Sequence, residues 1–422
     1  MQGTCYKLLF FHNFLQLSFK SFWVSAIATN NLSSFPNETM KILLTGATGT
    51  LGSAILEKLR TQKDQVYCLV RNKSDQPAEE CIKNSSDRVV IVPGDIIKPL
   101  AGISAKDIEL IKQVDAVLHC AASIDFGLSK AAETADININ GTRNMLELAI
   151  RIGAKNFYHV STSYVAGDAE YFSENDSHAN QLLRNPYEKT KFAGEELVRL
   201  ICAQANMGYT IFRPTVIVGD SKSGKISSFE GYYGFFKYIV SMRDKVRDQA
   251  KKKDKEIFAQ MIRGDKVRLP ITVRCSFKST INLVPINWVV DTISYFLRKK
   301  AEDRVYHLVD ENPQKVKWVI EKTLEHLGIR CAVLETTDLT KQNFANKNMA
   351  RIAETMQRGF EPTENLYWPY ITREAVFSTK WLRQDMVKDY TLCPHIDERL
   401  LKTLLIYDEK ERWGRQKGTA IL

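Results

Sequence analysis

The stretch that most constrains this chain is Lys41–Thr45 (KILLT), which runs directly into Gly46-Ala47-Thr48-Gly49-Thr50-Leu51-Gly52 and then into a helical pattern. A short apolar run ending in a glycine-rich turn and restarting as a helix is a strand-turn-helix unit. Its glycines let the backbone turn tightly and let the helix lie close on the strand. The same rhythm continues downstream. The pattern predicts a helix over Thr50–Lys63, strands at Val66–Val70, Val89–Val92 and Ala116–Ala121, and a helix over Ala131–Ile152. A strand at Phe157–Thr162, a helix over Tyr187–Ala205 and a strand at Tyr209–Arg213 follow. Strands that are apolar on both faces and alternate with helices form a parallel sheet covered on both sides. The expected fold is α/β, a doubly wound parallel sheet.

After Pro214 the rhythm loosens. A Ser-, Gly- and Lys-containing loop (Gly219–Ser228) leads to an aromatic patch at Phe229, Tyr232, Tyr233, Phe235, Phe236 and Tyr238, which reads equally well as a pocket lining or as plain core. The charged run over Arg243–Arg268 mixes Lys and Arg with Asp and Glu and lacks regular aromatic spacing, so it reads as a solvated helix face. NLVPI and NWVVDTISYFLRK (Asn282–Lys300) and Val305–Leu308 look like a return to the sheet. The expected organisation is a nucleotide-binding core at 40–220, an interleaved substrate region at 221–320 and a C-terminal helical cap at 321–422, containing a strand at Cys331–Glu335.

Residues 1–39 stand apart. No uninterrupted apolar run there reaches the about 18 residues of a membrane span. Three readings remain: an over-extended reading frame with Met40 as the working start, an interfacial amphipathic segment, or a secretory signal cleaved near Ala26-Ile27-Ala28. With 422 residues, 44% hydrophobic, the chain can bury one large core or two smaller ones. A net charge of +10 favours anionic partners, such as a phosphate-rich cofactor, an acidic carrier protein, a membrane surface or nucleic acid, and does not choose among them; of these, a nucleic-acid partner is not expected. The eight cysteines are scattered singly, which suits reduced thiols of a cytoplasmic protein and calls for no metal.

Placed between a strand and a helix, the glycine turn implies a nucleotide site: its glycines admit a pyrophosphate, and the helix N-terminus offers amide donors. At the end of the second strand, where an NAD site usually has an acid, stand Arg71 and Lys73, which favour the 2′-phosphate of NADPH. Asp95, in PGDI, is an acceptor for an adenine amino group or a cap for the next segment. HVSTSYVAG delivers Ser161, Thr162 and Ser163 to the carboxyl edge of the sheet. Tyr187 and Lys191 are i and i+4, on one face of a helix. An ammonium at Lys191 is expected to lower the phenol's pKa, with the Thr162 hydroxyl fixing a substrate oxygen.

Together, TGATGTLG, Thr162 and Tyr187-x-x-x-Lys191 resemble the extended short-chain dehydrogenase/reductases, a Rossmann-like family, over about Met40 to Asp310. CLVRNK, GDIIKPLAG, HCAASIDF, NINGTRNMLELA, NPYEKTKFAGEELV, FRPTVIVGDSKSGKI and NLVPINWVVDTI look like the branch of fatty acyl-CoA reductases and thioester reductase domains, with GDSKSGKI the most discriminating. The resemblance implies Thr162, Tyr187 and Lys191 as catalytic. It implies a cofactor site at Gly46, Thr48, Gly49, Thr50, Leu51, Gly52, Arg71, Lys73, Asp95, Ile96, Ala121, Ala122, Asn138, Tyr187, Lys191, Pro214, Thr215 and Val216. Asn138 enters as structural or cofactor-proximal. The implied activity is NADPH-dependent reduction of an acyl thioester, on coenzyme A or an acyl carrier protein, to the aldehyde or on to the alcohol. The alternatives are a reductase, dehydrogenase or epimerase acting on a ketone, alcohol or sugar nucleotide, and a non-catalytic NADP-binding regulator. Acyl length, oligomeric state and membrane association stay open.

Overall fold

The computed structural model describes residues 39–72, 77–82, 86–252, 256–299, 303–338, 342–344 and 346–415. Residues 1–38, with every reading of the N-terminal segment, and Lys73 lie outside the described residues.

Lys41–Thr45 becomes a strand because its four apolar or small residues after Lys41 are buried on both faces. Strands on both sides complete a seven-stranded sheet in the order Arg304–Leu308, Gly208–Pro214, Asn156–Val160, Ala116–His119, Lys41–Thr45, Gln65–Val70, Val89–Pro93. Every pair in it is parallel. The chain runs outward from Lys41–Thr45 in one direction and then restarts at Ala116–His119 in the other. The crevice for a ligand therefore opens beside the carboxyl end of Lys41–Thr45. Helix Thr50–Thr61 buries Ile55, Leu56 and Leu59 against the sheet and against Val289 and Ile293 of helix Ile286–Arg298. Each such side chain contributes roughly 1.5–3 kcal/mol by leaving water.

Two elements bend the expected pattern. The helix expected over Ala131–Ile152 contains a π-turn at Asp136–Asn140 between α-helical Ala131–Ala135 and Gly141–Arg151. The strand expected to reach Ala121 stops at His119, where the Ala121 amide turns to donate to the Thr45 hydroxyl at 3.2 Å.

A second layer of structure is inserted before and after Arg304–Leu308. Helix Tyr232–Ala250 is followed by strand Lys266–Cys275, so the charged run is not helical throughout. Its last residues join a strand because Val267, Leu269, Ile271, Val273 and Cys275 are buried against a partner distant in sequence, Ile329–Glu335, which pairs in parallel. Arg243, in the same run, is 5% exposed and bonds Asp244 and Glu409, so it is no solvated charge. The expected boundary at residues 320 and 321 falls within helix Val316–His326. The stretches on both sides of it build one core, with Tyr232, Phe236, Leu269, Val319, Phe360 and Leu401 in a single cluster.

The sheet and the helix Pro186–Ala205 are tied by an ion pair buried at both ends. Arg213 donates to Glu195 at 2.9 and 2.7 Å, with Arg213 fully buried and Glu195 at 1% exposure. Removing one partner of such a pair costs about 3–5 kcal/mol.

Candidate active site

The glycine turn is built for close approach. Gly46 has φ of +72°, and a Cβ there would stand 2.8 Å from the Ala121 nitrogen; a Cβ on Gly52 would overlap the Gly46 carbonyl oxygen. The cap residue Gly49 has no side chain to bond the first amides of helix Thr50–Thr61, so those donors face the crevice. This cradle is one wall of a cavity of about 980 Å³, lined by Gly46, Thr48, Gly49, Thr50, Leu51 and Gly52 together with Ala122, Thr162, Tyr187, Lys191, Pro214, Thr215 and Val216.

The other expected cofactor residues stand elsewhere. Arg71 is exposed at the end of strand Gln65–Val70. Asp95 accepts from the Ile97 amide at 3.3 Å, and Ile96 is buried against Gly141. Ala121 abuts Gly46 without lining the cavity. Asn138 is 2% exposed, and its amide is consumed internally. It accepts from the Ser123 amide at 2.8 Å and donates to the Ser123 carbonyl and the Thr190 hydroxyl, each at 2.9 Å. Asn138 thus staples the turn after Ala116–His119 to helix Pro186–Ala205, which is the structural role.

That helix begins where the sequence signals a start. The Asn185 side chain accepts from the Glu188 amide at 3.0 Å, Pro186 takes the first helical position, and the Glu188 carboxylate reaches back to the Arg184 amide at 2.8 Å. Tyr187 and Lys191 then share one face. Thr162, 3% exposed, opens a short turn by accepting from the Tyr164 amide at 3.2 Å, and its hydroxyl donates to the Pro214 carbonyl at 3.4 Å. Burial pushes the phenol up to about 12, and the Thr162 hydroxyl works in the opposite direction.

Lys191 differs from the expectation. Its ammonium donates to the Val160 carbonyl at 2.6 Å and stands 3.4 Å from His159 Nε2. The buried carbonyl and imidazole offer it acceptors that a protonated phenol cannot match. Burial pulls Lys191 down to about 8, with the Glu195 charge opposing. Beneath it His119 and His159 stack at 5.5 Å, and burial together with the Lys191 charge pushes both below the usual imidazole range, so both are neutral. Cys120 also lines the cavity, but burial raises its thiol to about 12, which leaves no thiolate to act as a nucleophile.

The opposite wall is apolar: Tyr232, Phe235, Phe236, Val316, Val319, Ile320, Leu366 and Ile371. Half of the aromatic patch therefore lines the cavity, and Phe229, Tyr233 and Tyr238 pack in the core around it. The two long helices of this wall close-pack through reciprocal notches. The Tyr367 hydroxyl sits over Gly234, and the Tyr238 hydroxyl sits over Gly359. GDSKSGKI folds back on Asp220, which accepts from the Lys222 and Ser223 amides at 3.0 and 2.8 Å, and so presents Ile226, Ser227 and Ser228 to the cavity.

Sequence reasoning missed Tyr164, Phe126, Tyr367 and Tyr370. Phe126 lies 5.6 Å from the Tyr187 ring and 5.3 Å from the Tyr370 ring, and Tyr164 lies 4.6 Å from Tyr370. Tyr164 was within reach as the next residue of the strand-end motif. Nothing local marked the two tyrosines near residue 370.

A family model described as "Male sterility protein" matches residues 44–293, more than half of the chain. The chain belongs to the male sterility protein family. Its relatives include fatty acyl-CoA reductase wat of Drosophila melanogaster, 28% identical over 48% of this chain and 47% of that protein. Fatty acyl-CoA reductase 1 of Mus musculus is 26% identical over 60% and 54%. Peramine synthetase ppzA of Metarhizium rileyi is 27% identical over 47% of this chain and 8% of that protein. The chain thus spans at most about half the length of these relatives. Among solved structures, the terminal R domain of the myxalamid pathway aligns with TM-score 0.67 at 23% identity, covering 89% of this chain and 92% of that one. The reductase domain of a Mycobacterium tuberculosis nonribosomal peptide synthetase gives TM-score 0.63 at 18% identity, covering 89% and 93%. These likenesses show that the chain shares the doubly wound α/β fold of these reductase domains.

Proposed function

We propose that the chain is an NADPH-dependent reductase of acyl thioesters, releasing an aldehyde and a thiol. The observation that carries this reading is one cavity in which the glycine cradle, Thr162 and Tyr187 face an apolar chamber. The chain's residues fit a dinucleotide: the cradle rejects any Cβ at Gly46 and Gly52, and the free helix amides suit phosphates. Gly46 to Gly52 would hold the pyrophosphate, Arg71 the 2′-phosphate and Lys191 the nicotinamide ribose. The bound cofactor supplies a hydride.

Tyr187, kept protonated by its burial, donates its proton to the oxygen of the carbonyl being reduced, and Thr162 donates a hydrogen bond to that oxygen. The resulting hemithioacetal breaks its C–S bond, with the thiol taking the hydroxyl proton. No enzyme thiolate is needed, in keeping with the protonated Cys120. Tyr232, Phe235 and Phe236 shelter an aliphatic acyl chain from water. The reading is supported by two of the relatives, which are fatty acyl-CoA reductases.

The test is NADPH oxidation by the purified chain with acyl-CoA and acyl-carrier thioesters, alongside ketones and sugar nucleotides, with product aldehyde or alcohol measured. Thioester turnover is expected. Tyr187→Phe should lower it by roughly 10²–10⁴-fold while leaving NADPH binding intact. Turnover confined to a ketone or a sugar nucleotide would overturn the proposal.

A further inference from the structure

The start of helix Pro186–Ala205 is completed by a residue from the far end of the chain. Tyr370, on helix Lys347–Thr372, donates its hydroxyl proton to Glu188 Oε1 at 2.7 Å and accepts from Asn185 Nδ2 at 2.6 Å. Arg184 donates to Glu188 at 2.8 Å and to the Pro369 carbonyl at 3.1 Å, and its guanidinium lies 4.6 Å over the Tyr370 ring. Glu188 is fully buried and Tyr370 is 7% exposed. Asn185 therefore divides its amide between two duties: the oxygen caps the helix and the nitrogen holds Tyr370. Because a side-chain amide is planar, fixing the nitrogen fixes the oxygen. The geometry of the cap is thus set from residue 370. Tyr187 sits inside this cap, between Pro186 and Glu188.

Helix Lys347–Thr372 also supplies Leu366, Tyr367 and Ile371 to the apolar wall. One helix thus touches both the chamber and the cap of the catalytic helix. We propose that Tyr370 is a positioning residue: through Asn185 and Glu188 it sets the Tyr187 phenol, so that proton delivery depends on the seating of the helix that lines the acyl chamber. The inference rests on the thioester reading for its kinetic arm only.

Tyr370→Phe keeps the ring on Arg184, Phe126 and Tyr164 and deletes the hydroxyl. With a thioester substrate, kcat should fall by roughly tenfold or more, while KM and the NADPH dissociation constant stay within about twofold. Asn185→Ser, which retains a capping oxygen and loses the nitrogen, should give the same pattern. Glu188→Gln combined with Tyr370→Phe should cost less than the product of the two single effects. In ligand-free protein, amide exchange over residues 185–192 should accelerate in Tyr370→Phe, while the central strands keep their protection. A lowered urea midpoint with kcat retained, a loss confined to KM, or strictly multiplicative effects would overturn the inference. If no thioester is turned over, the exchange measurement decides alone: unchanged exchange over 185–192 refutes the positioning role whatever the substrate.

Discussion

On the thioester proposal, Gly234 is the sharpest test of where the acyl chain lies. The Tyr367 hydroxyl rests on it, and a Cβ at that position would overlap the hydroxyl oxygen, so the tyrosine has to retreat by on the order of 1 Å to restore van der Waals contact. The helix bearing Tyr367 is tied to strand Lys266–Cys275, where Gln357 and Glu364 accept from the Thr272 and Arg274 amides, each at 2.8 Å. Tyr238 is seated over Gly359 of the same helix, and Arg184 grips the Pro369 carbonyl beyond it. The ring is flanked by Phe126 at 6.3 Å and Phe235 at 5.8 Å, so the hydroxyl swings toward the cavity that Tyr367 lines. An intrusion of this size is comparable to one methylene, worth roughly 10–200-fold in discrimination, and the overpacking costs about 1–3 kcal/mol of stability. Gly234→Ala should therefore leave kcat/KM for short acyl thioesters within about twofold and lower it for long ones by roughly 10-fold or more. The assay is NADPH oxidation across a saturated series from butyryl to palmitoyl thioesters. A uniform loss across the series, or none, would show that the chain does not pass Tyr367.

Three further outcomes are expected. Lys191 sits near 8, below its ordinary value, so it loses its proton as pH rises through about 8; if its charge is needed, kcat/KM should fall by about tenfold per pH unit above that point. A profile flat well beyond it would mean that the ammonium is dispensable. Arg71→Ala should weaken NADPH binding by roughly 10–100-fold, the worth of a charge-assisted hydrogen bond, and leave NADH binding unchanged; titration of cofactor fluorescence distinguishes the two. For Glu195, burial favours the neutral acid, but Arg213 and Arg199 outweigh it and hold the carboxyl below its ordinary 4.5. Its contribution is present above that ordinary value and is lost as pH falls through the lower folded value. Glu195→Gln should cost about 3–5 kcal/mol at neutral pH and flatten the acid limb of stability in urea titrations; parallel acid limbs would contradict this.

The parts of the molecule legible in the sequence are those whose cause is local. Lys41–Thr45 and the glycine turn carry their own signals, and so do Asn185-Pro186 before Tyr187 and Lys191. What stayed hidden is set by partners distant in the chain. Lys266–Cys275 contains Pro270 and a register shift and becomes a strand only beside Ile329–Glu335. Helix Lys347–Thr372 runs through Pro362 and Pro369, which read locally as helix breaks, so Tyr367 and Tyr370 had no predicted place. The spacing of Tyr187 and Lys191 placed them on one face. It could not show that the Val160 carbonyl and His159 would hold the ammonium.

The position of Arg304–Leu308 at the end of the central sheet has a consequence during synthesis. Its neighbour Gly208–Pro214 leaves the ribosome long before it, and in the interval the strand carrying Ile211 and Phe212 has an open edge. The helices and strand made meanwhile cannot finish their own core until Ile329–Glu335 arrives, and the cap at Asn185 waits longer still for Tyr370. Nascent chains that stop before residue 304 should thus be the ones that need a chaperone, and an early truncation should yield aggregate in place of a smaller folded protein.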